Sequence, residues 1–191
     1  MIAGLVLAGG EGSRFGGGKL LAELGGRPLV EHPLTALRAA GVERIVLVAG
    51  ADAERIRAEV DLEAAEIVTA EGWAKGQSAT LATGVAELAG AEAIVVLLGD
   101  QPLVSPEAIN RVIGARARGA LALRATYAGV AAHPTLLERQ LFPELLKLSG
   151  DIGARELLNE IGAIEVACDG LGSPLDVDTQ ADLERARAEL G

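Results

Sequence analysis

Several short runs in this chain are apolar on both faces. Ile2–Ala8 (IAGLVLA) and Ala93–Leu98 (AIVVLL) show no alternation of polar and apolar side chains. A strand without a polar face must be covered on both sides, which is the situation of a parallel sheet wrapped by helices. Similar runs at Arg44–Ala49, Glu66–Thr69, Leu121–Tyr127 and Ala163–Ala167 read as further strands. Helical spacing fills the intervals. Val30, Leu34 and Leu37 recur ahead of Gly41, a residue suited to ending a helix, and Leu81, Val85 and Leu88 share one face of a helix over Ser78–Leu88. Helices are also expected at Ala53–Val60, Pro106–Ala117 and Thr179–Leu190. The alternation predicts an α/β fold, a three-layer α/β/α sandwich around a mostly parallel sheet. One domain accounts for 191 residues. Residues 128–160 are dense in turn signals (Pro134, Pro143, Gly150, Gly153) and predict a small inserted cap.

Charge and cysteine content narrow the classes of function. A net charge of −10 opposes long-range attraction to nucleic acid or an anionic membrane, so an anionic ligand must be held by local groups. The single cysteine, Cys168, excludes an internal disulfide and a cysteine zinc cluster. Met1, Ile2, Ala3 and Gly4 lack the basic start of a signal peptide, and the longest apolar runs fall far short of the roughly 20 residues of a membrane span. A cytoplasmic monomer is expected.

In open α/β sheets ligands bind beyond the carboxyl ends of the strands. After the first run comes LAGGEGSRFGGGK, residues 7–19, with six glycines, Arg14 and Lys19. Such a loop can bring backbone N–H groups and fixed positive charge to a di- or triphosphate; the competing reading is a plain surface loop. A Walker loop ending at Lys19 would need glycine at Ser13 and a hydroxyl at Leu20, and a dinucleotide fingerprint from Gly10 and Gly12 meets Phe15 where its third glycine belongs. A dehydrogenase is therefore disfavoured. Gly72-Trp73-Ala74-Lys75-Gly76-Gln77-Ser78 forms a second loop, in which Ser78 suits either a helix cap or a ligand. Trp73 and Phe15 are half of the four aromatics, with loop packing favoured over base stacking. Gly99-Asp100-Gln101-Pro102 follows the most apolar run, placing a carboxylate where a hard cation such as Mg²⁺ can bind.

Residues 7–19 resemble the signature L-A-(A/G)-G-x-x-x-R-x-G-x-x-K of nucleotidyltransferases, within that group most closely the molybdenum cofactor nucleotidyltransferases. The resemblance implies a Rossmann-like, glycosyltransferase-A-like fold. It implies a nucleotide site made by Leu7, Ala8, Gly9, Gly10, Gly12, Ser13, Gln77 and Ser78, with Arg14 and Lys19 on the triphosphate. G-D-Q-P at residues 99–102, H-P-T-L-L from His133, G-D-x-G-A-R at residues 150–155 and D-V-D-T-Q-A-D-L from Asp176 resemble the cytidylyl branch. They imply an acceptor pocket with Gln101, His133, Asp151 and Arg155, to which the cap would belong. They also imply an Mg²⁺ held by Asp100 and Asp178, in preference to Asp176. Only the run L-A-G-G departs, being commoner in the guanylyl branch than the cytidylyl L-A-A-G.

The activity this implies is transfer of a nucleoside monophosphate from an NTP, CTP in preference to GTP, to a phosphorylated pterin such as molybdopterin. Arg14, Lys19 and Asp100 would be the catalytic residues, and a recipient molybdoenzyme a docking partner. A related enzyme with another phosphorylated acceptor, or a non-catalytic pterin-binding maturation factor, are the alternatives.

Overall fold

The structure, a computed structural model, describes residues 1–10, 12–117, 119–150 and 153–191. The strands are β1 (Ile2–Ala8), β2 (Glu23–Leu24), β3 (Arg27–Pro28), β4 (Ile45–Ala49), β5 (Glu66–Thr69), β6 (Ala93–Leu98), β7 (Ala122–Tyr127), β8 (Val130–Glu138) and β9 (Ile164–Ala167). The helices are α1 (Glu31–Ala39), α2 (Ala53–Glu59), α3 (Gln77–Glu87), α4 (Pro106–Gly114), α5 (Phe142–Leu145), α6 (Gly153–Glu160) and α7 (Gln180–Leu190).

Seven strands form one sheet in the order β5-β4-β1-β6-β8-β7-β9, and β2 pairs with β3 in a separate hairpin. β8 runs antiparallel to both of its neighbours, while the other sheet pairs are parallel. The expected mostly parallel α/β sandwich is what the chain forms. Alternate residues of the apolar strands serve opposite faces. Val6, Leu47, Val95 and Leu97 pack with Leu34, Leu37 and Ile56 on one side. On the other side Leu5, Leu7, Val46 and Ile94 pack with Leu81, Val85 and Phe142. Each fully buried Leu or Ile here contributes about 1.5–3 kcal/mol relative to exposure. A third, smaller core joins Leu24 and Leu29 of the hairpin region to Val177 and Leu183 at α7.

Helix ends follow their sequence signals. Gly41, at φ 80°, follows α1, and the bonds Gly41 N–H to Arg38 O (2.9 Å) and Val42 N–H to Leu37 O (3.1 Å) close the helix in a Schellman turn. Ser105 caps α4, accepting from Ala108 N–H, and α4 stops at Gly114, three residues short of the expected Ala117.

The largest departure from the sequence reading lies at residues 128–160. Its first third is not part of a cap but β8, a nine-residue strand inside the sheet. The register with β7 passes from Arg124↔Thr135 to Ala125↔Ala132, so His133 and Pro134 form a bulge outside the ladder. Proline is tolerated there because no ladder bond is asked of it. Residues 139–150 and 153–160 lie across one face with short helices, and Leu141, Phe142, Leu145 and Leu158 are in the core.

The chain moves outward from β1 to β4 and β5, then crosses back to β6 on the opposite side of β1. This reversal opens a crevice beyond the ends of β1 and β6, where the loops after Ala8 and Leu98 emerge.

Candidate active site

The glycine-rich loop folds into two single 3₁₀ turns, Ser13–Phe15 and Lys19–Leu21, linked by Gly16, Gly17 and Gly18, all at positive φ. The N–H groups of Phe15 and Gly17 both donate to Gly12 O, curling the loop back on itself. The second turn sends Lys19 inward, leaving it 8% exposed. Its Nζ donates to Asp100 Oδ2 at 2.7 Å and to Asp178 Oδ1 at 2.8 Å. Burial opposes the Lys19 charge, but the two carboxylates outweigh it and hold the ammonium pKa above the ordinary lysine value. Arg14 lies nearby and largely exposed, its guanidinium 3.8 Å from Asp178 Oδ2. Residues from the start, middle and end of the sequence thus converge on one point.

Backbone and side-chain bonds fix the two carboxylates relative to each other. Val177 N–H donates to Asp100 O at 2.9 Å. Asp182 accepts from Thr179 N–H at 2.9 Å and from Asp178 N–H at 3.3 Å, while the Thr179 hydroxyl accepts from Asp182 N–H, a capping box at the start of α7. Gln101 Nε2 donates to Asp176 Oδ1 at 2.8 Å, and burial pushes the Asp176 carboxyl above its usual range. Asp176 therefore serves the Gln101 bond, whereas Asp178 faces Lys19. Asp100 and Asp178 are two carboxylates without a third: among the described residues no cluster of three His, Cys, Asp or Glu side chains could enclose a metal. Two carboxylates suit a hard divalent ion that keeps its other positions for phosphate oxygens and water.

Two cavities share Leu7, Gln77 and Leu98 as walls, and of the three charged residues Lys19, Asp100 and Asp178 only Asp100 borders one of them, the first. The first, about 440 Å³, is bounded by Gly9, Gly10, Trp73, Thr80 and Asp100. The second, about 500 Å³, is bounded by Gln101, Arg124, His133, Arg155 and Asp176 among mostly apolar neighbours. His133 Nδ1 lies 3.1 Å from Val96 O, a partner that can only accept, so this nitrogen carries the proton. Burial pushes the imidazole pKa down, which keeps the ring neutral near pH 7.

The structure brings some of the residues expected from the sequence to the two cavities and leaves others elsewhere. Leu7, Gly9, Gly10, Gln77 and Asp100 border the first cavity, and Gln101, His133 and Arg155 the second. Ala8 is 3% exposed and belongs to the core. Gly12 shapes the loop through its carbonyl. The Ser13 side chain and the whole of Asp151 lie outside the described residues. Ser78 is not a helix cap: Gly76 holds that position, and Ser78, inside α3, donates its hydroxyl to Gly150 O at 2.6 Å. Trp73 packs on the second core and also borders the first cavity. Thr80 and Arg124 were not singled out from the sequence. A threonine inside a helix and an arginine inside a strand carry no motif.

Residues 4–165 match the family described as the MobA-like NTP transferase domain. The chain belongs to that family. As a member it is a nucleotidyltransferase, with a nucleoside triphosphate and an acceptor as substrates. It is 30% identical over 197 residues to the nicotine blue oxidoreductase of Paenarthrobacter nicotinovorans, covering 96% of this chain and 95% of that protein. The crystal structure of Rv0371c from Mycobacterium tuberculosis H37Rv superposes with a TM-score of 0.88 at 33% identity, covering 98% of this chain and 97% of that one. A second structure of that protein is a complex with manganese (TM-score 0.84, 32% identity, 98% of each chain). A nucleotidyl transferase from Methanothermobacter thermautotroptrophicus follows at TM-score 0.81 and 25% identity, covering 98% and 96%.

Proposed function

We propose that this nucleotidyltransferase transfers CMP from CTP to the phosphate of a phosphorylated pterin of the molybdopterin type. The observation that carries the reading is the meeting of Lys19, Asp100 and Asp178, with Asp100 bordering the first cavity and its neighbour Gln101 the second. The first cavity would take the nucleotide and the second the acceptor, so that donor and acceptor phosphates meet at that cluster. An acceptor phosphate oxygen attacks the α-phosphorus. The new P–O bond forms as the bond to the β-phosphate oxygen breaks, and pyrophosphate leaves with the electron pair. The nucleophile is already anionic, so alignment and charge neutralisation matter more than a general base.

Asp100 and Asp178 would hold Mg²⁺, which supplies charge neutralisation at the α-phosphate. Manganese in the related crystal structure supports a divalent ion in this fold. Lys19 and Arg14 would stabilise charge on the leaving pyrophosphate. The N–H groups of the glycine-rich loop, including those of Gly9, Gly10, Gly12 and Ser13, would cradle the phosphates, with Leu7, Gln77 and Ser78 bounding or bracing the nucleotide cavity. Gln101, His133, Asp151 and Arg155 would border the acceptor. Because the pterin product is labile, a recipient molybdoenzyme would dock directly on a cytoplasmic monomer.

Preference for CTP rests on the downstream motifs, and the glycine at position 9 does not contradict it. A Cβ there would lie 2.2 Å from Thr80 Oγ1, so beside Thr80 packing favours glycine at this position independently of the base. The name of the relative from Paenarthrobacter nicotinovorans suggests another reading, an oxidoreductase. Phe15 in place of the third fingerprint glycine speaks against dinucleotide binding.

Calorimetric titration with CTP, GTP and NAD(P)H, with and without Mg²⁺, separates these readings. Mg²⁺-strengthened CTP binding, followed by pyrophosphate release on adding molybdopterin, is the expected result. Asp100→Ala and Lys19→Ala are each expected to lose that release while retaining the fold. GTP preference would shift the assignment to the guanylyl reaction, and NAD(P)H binding alone would overturn it.

A further inference from the structure

We infer that Lys19 is a resident cation that holds the divalent-metal position closed until a nucleotide draws it away. The inference rests on the proposed assignment of Asp100 and Asp178 as metal ligands. Its carrying observation is that Lys19 Nζ already engages one oxygen of each, Asp100 Oδ2 at 2.7 Å and Asp178 Oδ1 at 2.8 Å. The Lys19 side chain is 10% exposed and that of Asp100 23%, so their contact is weakly screened, while Asp178, at 46%, leaves its side of the cluster open to solvent. An ammonium between two carboxylates spends their charge and lone pairs on itself. The same oxygens cannot face a divalent ion directly while the ammonium remains between them.

This arrangement has two consequences. Asp100 and Asp178 come from loops 78 positions apart in sequence, and without a cation between them they would repel. Lys19 therefore keeps the pair assembled in the nucleotide-free protein. A metal entering alone must displace the ammonium from both of the carboxylates it bonds. A triphosphate changes that balance, because its oxygens give Lys19 a new anionic partner as they bring ligands for the metal. Metal and nucleotide binding are then positively coupled, and by linkage each strengthens the other to the same extent. Lys19 acts as a positioning residue for the metal before it acts on the phosphates.

The test is Mn²⁺ affinity, read by electron paramagnetic resonance, on the purified protein with no nucleotide present. Lys19→Met keeps the volume and removes the charge, and is expected to tighten Mn²⁺ binding about tenfold or more. Lys19→Arg retains a cation and is expected to leave the affinity weak, as in the wild type. In the wild type, adding CTP is expected to tighten Mn²⁺ binding at least tenfold, whereas in Lys19→Met that gain collapses. Unchanged or weaker Mn²⁺ binding in nucleotide-free Lys19→Met overturns the inference. Should that variant fail to fold, wild-type Mn²⁺ affinity indifferent to CTP overturns it equally. Asp100→Asn and Asp178→Asn separate this from the underlying assignment. If neither weakens Mn²⁺ binding in the CTP complex, the metal assignment itself is wrong; if both do and Lys19→Met changes nothing, only the role of Lys19 is.

Discussion

Single atoms decide much of the behaviour around the crevice. Gly9 lies against Thr80 so closely that a methyl group would need one or the other to shift. Gly9→Ala is therefore expected to cost about 1–3 kcal/mol, the usual range for overpacking, measured by urea unfolding. Thr80→Ala in the same chain removes the obstructing hydroxyl and is expected to restore most of that loss. A nonadditive double-mutant cycle is the diagnostic, and two additive losses would show the contact to be unimportant. Removing a carboxylate from the Lys19 cluster should act on chemistry instead. Asp100→Asn is expected to lower pyrophosphate release by on the order of 100-fold or more, with the circular dichroism spectrum unchanged.

At the level of elements, α7 links the fold to the site. Its capping box satisfies the first N–H groups of the helix, and Asp182 also accepts from the backbone of Asp178. Thr179→Ala is expected to lower stability by about 1 kcal/mol through the lost cap. Because Asp178 precedes that cap directly, the same variant should need more Mg²⁺ for half-maximal activity. A stability loss with an unchanged Mg²⁺ requirement would show that the cap does not position the carboxylate. The helix expected over Thr179–Leu190 was legible in the sequence, as were the apolar strands β1 and β6 and the charged loops that follow them, because each has a strong local signature. β8 was hidden by Pro134, which argues against a strand until the bulge that removes it from the ladder is known. Ser78, at the head of the expected helix, suited either a cap or a ligand, yet the helix begins earlier and its hydroxyl reaches Gly150 O, a partner far away in sequence. The Gln101–Asp176 bond is likewise a product of tertiary approach, with nothing local to announce it.

The whole molecule carries a pH signature in its two histidines. His32 is 7% exposed with Nε2 3.0 Å from Leu24 O, and His133 is held beside Val96 O; burial lowers both pKa values from the ordinary 6.5. Below pH 6.5 the unfolded chain takes up protons that the folded chain resists, so the unfolded state binds more protons and stability falls as pH falls. The loss approaches about 1.4 kcal/mol per pH unit for each histidine until its folded-state pKa is reached. Asp176, whose carboxyl is raised, works in the opposite direction, favouring the folded state once the pH falls below its folded-state value. Urea midpoints at pH 7.5 and 5.5 should show the histidine effect, and His133→Asn should reduce it. An equal fall in that variant would leave His32 as the source.

The third core, which joins the hairpin region just after Lys19 to α7 at the other end of the sequence, bears on how the protein comes into being. Lys19 and Asp178 are 159 positions apart. During synthesis the strands of the central sheet, which end at Ala167, emerge from the ribosome before Asp178 and the helix that steadies it. A nascent chain can therefore build its scaffold while its charged centre is still missing a member. Nucleotide and metal cannot assist the early stages of folding; they can only select chains in which the last turn of assembly has been made.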